Sequence, residues 1–163
     1  MRNSRIVSML AAGLAIGASA LQAQSATISV TATVLSQLTA AAGNPLTFGS
    51  VTPGVAKTAA VAGASAGSFN LTGQFNTGVQ VSFTLPTNLT SGANTLPIGT
   101  WTGLYNTVNT QGGTAFTPSA GGQNATLSGT GRLFLWLGAT VTPAAGQAAG
   151  GYTGTVVLNV VYQ

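Results

Sequence analysis

The stretch "GYTGTVVLNVVYQ", residues 151–163, gives the clearest indication of the fold class of this chain. Apolar side chains recur at every second position, and this period is typical of a β-strand, whose successive side chains point to opposite faces. We therefore predict a strand over 152–162. One face of it carries Tyr152, Gly154, Val156, Leu158, Val160 and Tyr162. The strand lacks the Lys and Pro residues that normally protect a sheet edge, so we expect another strand to pair with it.

The rest of the chain after residue 23 has the same β character. Thr, Val and Gly dominate it, and clusters of Gly, Pro, Asn and Ser interrupt it at short intervals, which is the pattern of an antiparallel sandwich or barrel. The segment 132–140 is apolar on both faces, which predicts a central strand covered on both sides. Further strands are predicted at 27–36, 46–51, 67–75, 79–85, 98–104 and 125–128.

The first 23 residues predict a signal peptide. Arg2 and Arg5 precede a short apolar run, and "LQA" at 21–23 is a plausible cleavage site. The run is shorter than the roughly 20 apolar residues that a membrane span needs. We therefore expect a secreted protein whose mature chain is a single domain.

Charged side chains are almost absent. After residue 23 only Lys57 and Arg132 are charged, and the whole chain contains no Asp, Glu, His or Cys. Two isolated cations cannot form the basic surface that nucleic-acid binding requires. Acid–base catalysis and metal binding usually use the four missing residue types, so we expect no enzyme activity, no metal and no cofactor. The scarcity of charge also lowers the repulsion between copies and favours self-association.

A second alternating segment, "ATISVTATV", occupies residues 26–34. Its apolar face carries Ile28, Val30, Ala32 and Val34. A slip of one residue would exchange these side chains for Thr and Ser, so the pairing register of such a strand is strongly specified. The segment is either the first strand of its own domain or a strand that is given to another molecule.

The two alternating segments resemble those of bacterial chaperone–usher pilins. The resemblance rests on the opening "ISVTATV", the closing "GYTGTVVLNVV", the penultimate Tyr162 and Gly150. Among these pilins, the opening and closing segments are similar to those of the cysteine-free colonisation-factor fimbrial subunits. The patterns "LTFGSVTPG", "FNLTGQ", "VSFTLP" and "LSGTG" also resemble a family of secreted bacterial β-sandwich proteins of undefined function.

The pilin resemblance implies an incomplete immunoglobulin-like β-sandwich that is completed by the N-terminal donor strand of a neighbouring subunit. It divides the chain into a signal peptide (1–23), a donor extension (24–36) and a pilin domain (37–163). Ile28, Val30, Ala32 and Val34 would be the donor side chains. The acceptor groove would be bordered by Gly150, Tyr152, Val156, Leu158, Val160, Tyr162 and Gln163.

The implied partners are further copies of the chain in a cell-surface filament, reached through the periplasm, together with a periplasmic chaperone and an outer-membrane usher.

Three other hypotheses remain open. Residues 26–34 would pair within their own domain in a monomeric coat or adhesin protein. Uncharged strands also occur in amyloid-type fibres, although frequent Gly and Pro turns oppose that structure. Finally, Trp101 and Tyr105 would form a sugar-stacking platform if the protein binds a glycan.

Overall fold

The computed structural model describes residues 24–163, and the predicted signal peptide lies outside this range. Within it, strands and loops make up the chain, and no helix is present. No described segment is therefore a helix that could cross a membrane. All strand pairs are antiparallel. The prediction of an all-β, antiparallel protein is confirmed.

The strands form two sheets. The strands are β1 (Thr39–Ala42), β2 (Lys57–Ala59), β3 (Gly67–Thr72), β4 (Gly78–Thr84), β5 (Asn88–Ser91), β6 (Asn94–Asn106), β7 (Thr114–Phe116), β8 (Gln123–Thr126), β9 (Arg132–Val141) and β10 (Val157–Tyr162). A seven-stranded sheet has the order β1-β3-β9-β6-β5, with β2 also paired to β9 and β7 to β6. A three-stranded sheet has the order β10-β4-β8.

The main core lies between the two sheets, as expected of a β-sandwich. From the larger sheet it takes apolar side chains of β3 and β9, and from the smaller sheet it takes those of β4 and β8. The most deeply buried members are Leu71, Leu127, Leu133, Leu135, Val79 and Val81. Each fully buried side chain of this kind contributes about 1.5–3 kcal/mol relative to an exposed one, so this core is the main source of stability.

Strand β9 is buried on both faces, as its sequence predicts. Leu133, Leu135 and Leu137 enter the main core. Phe134 and Trp136 point to the other side, where they form a smaller cluster with Ala66 and with partly buried side chains of the β2–β3 loop and β6. The outer face of this strand is therefore covered by the chain itself.

Two predicted strands are absent. Residues 24–38 contain no strand, so the strand predicted at 27–36 is not formed by the single chain. This segment belongs to no strand ladder, and ladder hydrogen bonds are what define a strand. The segment 46–51 is also irregular. Its apolar side chains pack against a buried cluster, but its main chain forms no strand ladder. Thr47 N–H donates one main-chain hydrogen bond, to Ser65 C=O at 3.0 Å.

The C-terminal strand is shorter than predicted. It begins at Val157 rather than at residue 152, and before it only Thr153 makes a bridge, to Thr90 of β5. The chain crosses from one sheet to the other between these points, so residues 154–156 belong to neither ladder of the single chain. Four strands, β1, β2, β5 and β7, have no counterpart in the sequence prediction, since each has only three or four residues.

Candidate functional site

Strand β10 is a free sheet edge. It pairs with β4 on one side, and on its other side no described strand pairs with it. Gln163 N–H donates to Gly78 C=O at 3.1 Å, and bonded and non-bonded pairs alternate along an antiparallel ladder. The main-chain groups of Leu158, Val160 and Tyr162 therefore point away from β4. Unpaired groups of this kind are a template for an added strand.

The core is incompletely covered beside this edge. The inward side chains of Leu158, Val160 and Tyr162 pack against the main core but remain partly exposed, as do Leu38 and Phe69 across from them. All four residues of β1, the facing edge of the larger sheet, are exposed. We call this strip between β1 and β10 the groove.

The groove widens at one end into a cavity of about 1070 Å³. Its walls are the segments 43–53 and 148–156, and its floor includes Phe69, Leu137 and Trp101. An engineered cavity of about 150 Å³ is enough to hold a benzene molecule. The space is therefore large enough for several apolar side chains, and we call this region the cavity end.

Hydrogen bonds hold the 148–156 wall in place. Gln147 Nε2 donates to Thr95 C=O at 3.0 Å and lies 2.7 Å from Tyr152 Oη, and that hydroxyl donates to Ala148 C=O at 2.8 Å. Thr153 and Thr90 exchange two main-chain bonds of 3.0 and 2.8 Å. The wall is fixed to the larger sheet, so the cavity does not depend on a freely moving loop.

A β-bulge helps to shape the cavity floor. The register between β6 and β9 shifts between Gly99 and Thr102, and Thr100 has a positive φ of 49°. A β-branched residue rarely adopts this conformation, which marks the site as strained. Trp101 lies within the bulge and lines the cavity, whereas Tyr105 packs beside Phe116 in the main core. The two aromatic residues therefore do not form one sugar-stacking platform.

The other end of the groove is closed by Tyr162. Its hydroxyl accepts a hydrogen bond from Gln74 N–H at 2.6 Å and donates one to Ser36 C=O at 2.7 Å. The Gln74 side chain in turn accepts a bond from Ser36 N–H at 3.2 Å. These bonds hold the chain at residue 36 against the domain, at what we call the exit end.

The chain divides between Thr33 and Val34 into two structural units. In the first, residues 24–33 are irregular, and the side chains of Ile28 and Val30 are 88% and 86% exposed. Val34, the first residue of the second unit, is 92% exposed. We call residues 24–34 the arm. Its apolar side chains are in water, which is unfavourable for a segment of this composition.

The residues predicted for the acceptor groove lie on one side of the strip between β1 and β10 and of its cavity. Gly150, Tyr152 and Val156 line the cavity, Leu158, Val160 and Tyr162 belong to the free edge, and Gln163 bonds the start of β4. The facing wall escaped the sequence analysis, although alternating apolar residues were visible in it. That wall includes Leu46, Phe48 and Val51.

No charged residue lines the cavity, and in the described range Lys57 and Arg132 are the charged side chains. Lys57 Nζ donates to Ser50 C=O at 2.7 Å, and Arg132 is exposed at the start of β9. The groove therefore offers apolar contact and main-chain hydrogen bonds, which suit an uncharged extended peptide. Comparison with protein-family models and with curated protein sequences finds no match for this chain.

Proposed function

We propose that this protein is the structural subunit of an extracellular filament, a pilin-like protein in which the arm of each subunit completes the immunoglobulin-like sandwich of the next. The observation that carries the proposal is the free edge of β10 beside an incompletely covered apolar core. The arm has the complementary character, because it is uncharged, alternates regularly and exposes its apolar side chains.

The number of vacant inward positions agrees with the arm. Tyr162 is already engaged by Ser36, which leaves Val160, Leu158, Val156 and Gly154 along the groove. The apolar face of the arm also has four residues. An antiparallel arm would place Ile28 opposite Val160 and Val34 opposite Gly154. Gly154 has no side chain of its own, and the Leu89 side chain lies against it at the cavity end.

This pairing would be strong. Burying Ile28, Val30 and Val34 would contribute about 1.5–3 kcal/mol each before ordering entropy is subtracted. The outward main-chain groups of β10 would add about 1 kcal/mol for each hydrogen bond. The sum is enough to hold subunits together, and a vacant groove would need temporary cover during export. A periplasmic chaperone and an outer-membrane usher are the proposed partners for that stage.

Chain length argues that an antiparallel arm comes from another molecule. Within one molecule Ser36 is bonded to Tyr162, and Val34 lies within roughly 7 Å of Ser36 because each residue spans at most about 3.6 Å. Antiparallel pairing requires Val34 beside Gly154, roughly 26 Å along the strand from Tyr162. A chain cannot make that pairing with itself.

The alternative, a self-completed monomer, needs a parallel arm. The arm would have to reverse at residues 35–38 before entering β1. That segment reads Leu-Ser-Gln-Leu, without the Gly, Asn, Asp or Pro that tight reversals favour. Parallel pairing is also slightly less stable for each residue. These points favour exchange between molecules over pairing within one.

Antiparallel exchange also explains an open filament. The donor's Val34 would lie at the acceptor's cavity end, so the donor's exit end would face the acceptor's cavity end. Such a head-to-tail contact leaves a free groove and a free arm at the two ends of every chain of subunits, and it can continue indefinitely. A parallel exchange would instead join two exit ends and close a dimer.

Cysteine cross-linking tests the proposal, because the chain has no native cysteine. One copy would carry Ser29→Cys and a separately tagged copy Asn159→Cys, both on the outward faces of their segments. Antiparallel exchange places these two residues opposite each other in neighbouring molecules. We expect a disulfide between the two tagged copies. The control pair, Thr33→Cys with Asn159→Cys, is matched in chemistry and is adjacent only in the parallel arrangement.

The outcomes are distinct. A link from Ser29→Cys to Asn159→Cys between differently tagged copies supports donor-strand exchange. A link between Thr33→Cys and Asn159→Cys placed in the same molecule supports the self-completed monomer and overturns the filament proposal. A chain that forms neither link and no polymer also overturns it.

A further inference from the structure

Exposed apolar side chains occur at both ends of the groove, as they do on the outer face of β10 and on the β6–β7 loop. At the exit end Phe75 is 58% exposed and Leu35 is 43% exposed. At the cavity end Val55 is 57% exposed, next to Pro53 of the cavity rim. Neither set is explained by the groove itself, since an arm lying in the groove would not cover these side chains.

Both apolar ends are held in fixed turns. At the exit end, Asn76 N–H donates to Ser128 C=O at 3.0 Å, and Gln74 bonds Ser36 and Tyr162 on the other side of Phe75. At the cavity end, Val55 N–H donates to Thr52 C=O at 3.1 Å. The main chain of such turns is held by hydrogen bonds, so less main-chain entropy is lost when the exposed side chains are covered.

The tether between the arm and its domain is short. Ser36 is bonded to its own domain, whereas Val34 in the proposed filament lies in the groove of the next subunit. Two residue steps span at most roughly 7 Å. The exit end of the donor must therefore come into contact with the cavity end of the acceptor.

We propose that neighbouring subunits make a second contact, separate from the exchanged strand, in which Phe75 of one subunit packs on Pro53 and Val55 of the next. The partner is a second copy of this chain, and the inference rests on the proposed function. The three contacting side chains are uncharged and apolar, while Lys57 lies beside the cavity end and the main chain of Arg132 lies beside the exit end. It restricts the bending of the filament at each subunit junction and slows the withdrawal of the arm.

Dissociation of the polymer measures this contact. Phe75→Ser and Val55→Ser each remove one side of it, while Val108→Ser is a matched control, since Val108 is equally exposed, at 57%, on the β6–β7 loop. We expect both test variants to shorten the half-time of polymer dissociation in guanidinium chloride about tenfold, which corresponds to about 1.4 kcal/mol. Val108→Ser should dissociate like the unmodified protein.

The double variant Phe75→Ser/Val55→Ser separates a direct contact from two independent effects. If the residues contact each other, the double variant dissociates no faster than either single variant. If the double variant accelerates dissociation by the product of the two single accelerations, the proposed contact between Phe75 and Val55 is overturned. It is also overturned if the Phe75→Ser polymer dissociates at the same rate as the Val108→Ser polymer.

Each variant also carries the Ser29→Cys and Asn159→Cys test. Loss of that link in the unmodified background overturns the exchange itself, whereas an intact link with unchanged dissociation overturns the second contact alone.

Discussion

Replacing Val30 by Asp tests the pairing of the arm with the groove. Val30 is on the apolar face of the arm, and the proposed register places it opposite Leu158. Ser29→Asp is a matched control, because it adds the same charge one position away, on the face that would remain in water. The two variants differ mainly in which face carries the charge.

The expected effect of Val30→Asp follows from burial. The variant loses about 1.5 kcal/mol or more from the valine side chain. It also brings an unpaired carboxylate into a groove whose cavity has no charged lining residue, and this costs several kcal/mol more. A total of at least about 4 kcal/mol corresponds to a loss of about a thousandfold in the affinity between subunits.

Polymer formation is the appropriate assay for both variants. The purified protein would be concentrated, and polymers would be separated from monomer by sedimentation. We expect Val30→Asp to give folded monomer, or monomer bound to a chaperone, and no polymer. Ser29→Asp should polymerise almost as the unmodified protein does, since exposed substitutions usually change stability by less than about 0.5 kcal/mol.

The reasoning is refuted if Val30→Asp forms polymers of normal length and stability. It is equally refuted if Ser29→Asp and Val30→Asp are impaired to the same degree, because an effect that ignores the alternation cannot arise from strand pairing.

Three further predictions concern the ends and the environment of the groove. Tyr162→Phe removes the hydroxyl that joins Gln74 and Ser36. The free energy of unfolding, measured in a denaturant titration, should therefore fall by about 1–3 kcal/mol. An unchanged value would mean that these bonds do not hold the exit end. Polymer formation should shift the tryptophan emission to shorter wavelength, and Trp101→Phe should abolish the shift while Trp136→Phe, buried on the other face of β9, preserves it. Raising the sodium chloride concentration should change the polymer dissociation half-time by less than about twofold, because the chain has no acidic side chain for an ion pair, and a steep salt dependence would contradict an apolar interface.

The regular strands could be read from the sequence because their side chains alternate. Strand β9 shows this most clearly, since Leu133, Leu135 and Leu137 face the main core while Phe134 and Trp136 face the smaller cluster. The inward positions of β10 were correct for the same reason. Alternation identifies which face is buried, and it does so for any strand long enough to show several repeats.

The shorter and irregular parts could not be read in the same way. Strand β1 has the sequence Thr-Ala-Ala-Ala, which has no alternation, and it exists because it pairs with β3. The segment 46–51 alternates but has no neighbouring strand, so it remains irregular. Periodicity describes side-chain faces, whereas pairing depends on which segments the tertiary structure brings together.

For a related reason, the sequence pattern says more about the 150–162 side of the groove than about the facing wall. The 150–162 side was predicted because a long, uncharged, alternating strand needs a partner. The place of the facing wall beside the groove and the strained bulge that contains Trp101 depend on contacts between segments far apart in the sequence, which local alternation does not report.

The most direct measurement is electron microscopy of filaments sheared from the cells that produce the protein, at a resolution that traces the chain between subunits. We expect residues 26–34 of one subunit to lie antiparallel to residues 154–162 of the next, with Ile28 beside Val160 and Val34 at Gly154. The proposal is contradicted if residues 26–34 pair within their own subunit, or if no filament contains this chain.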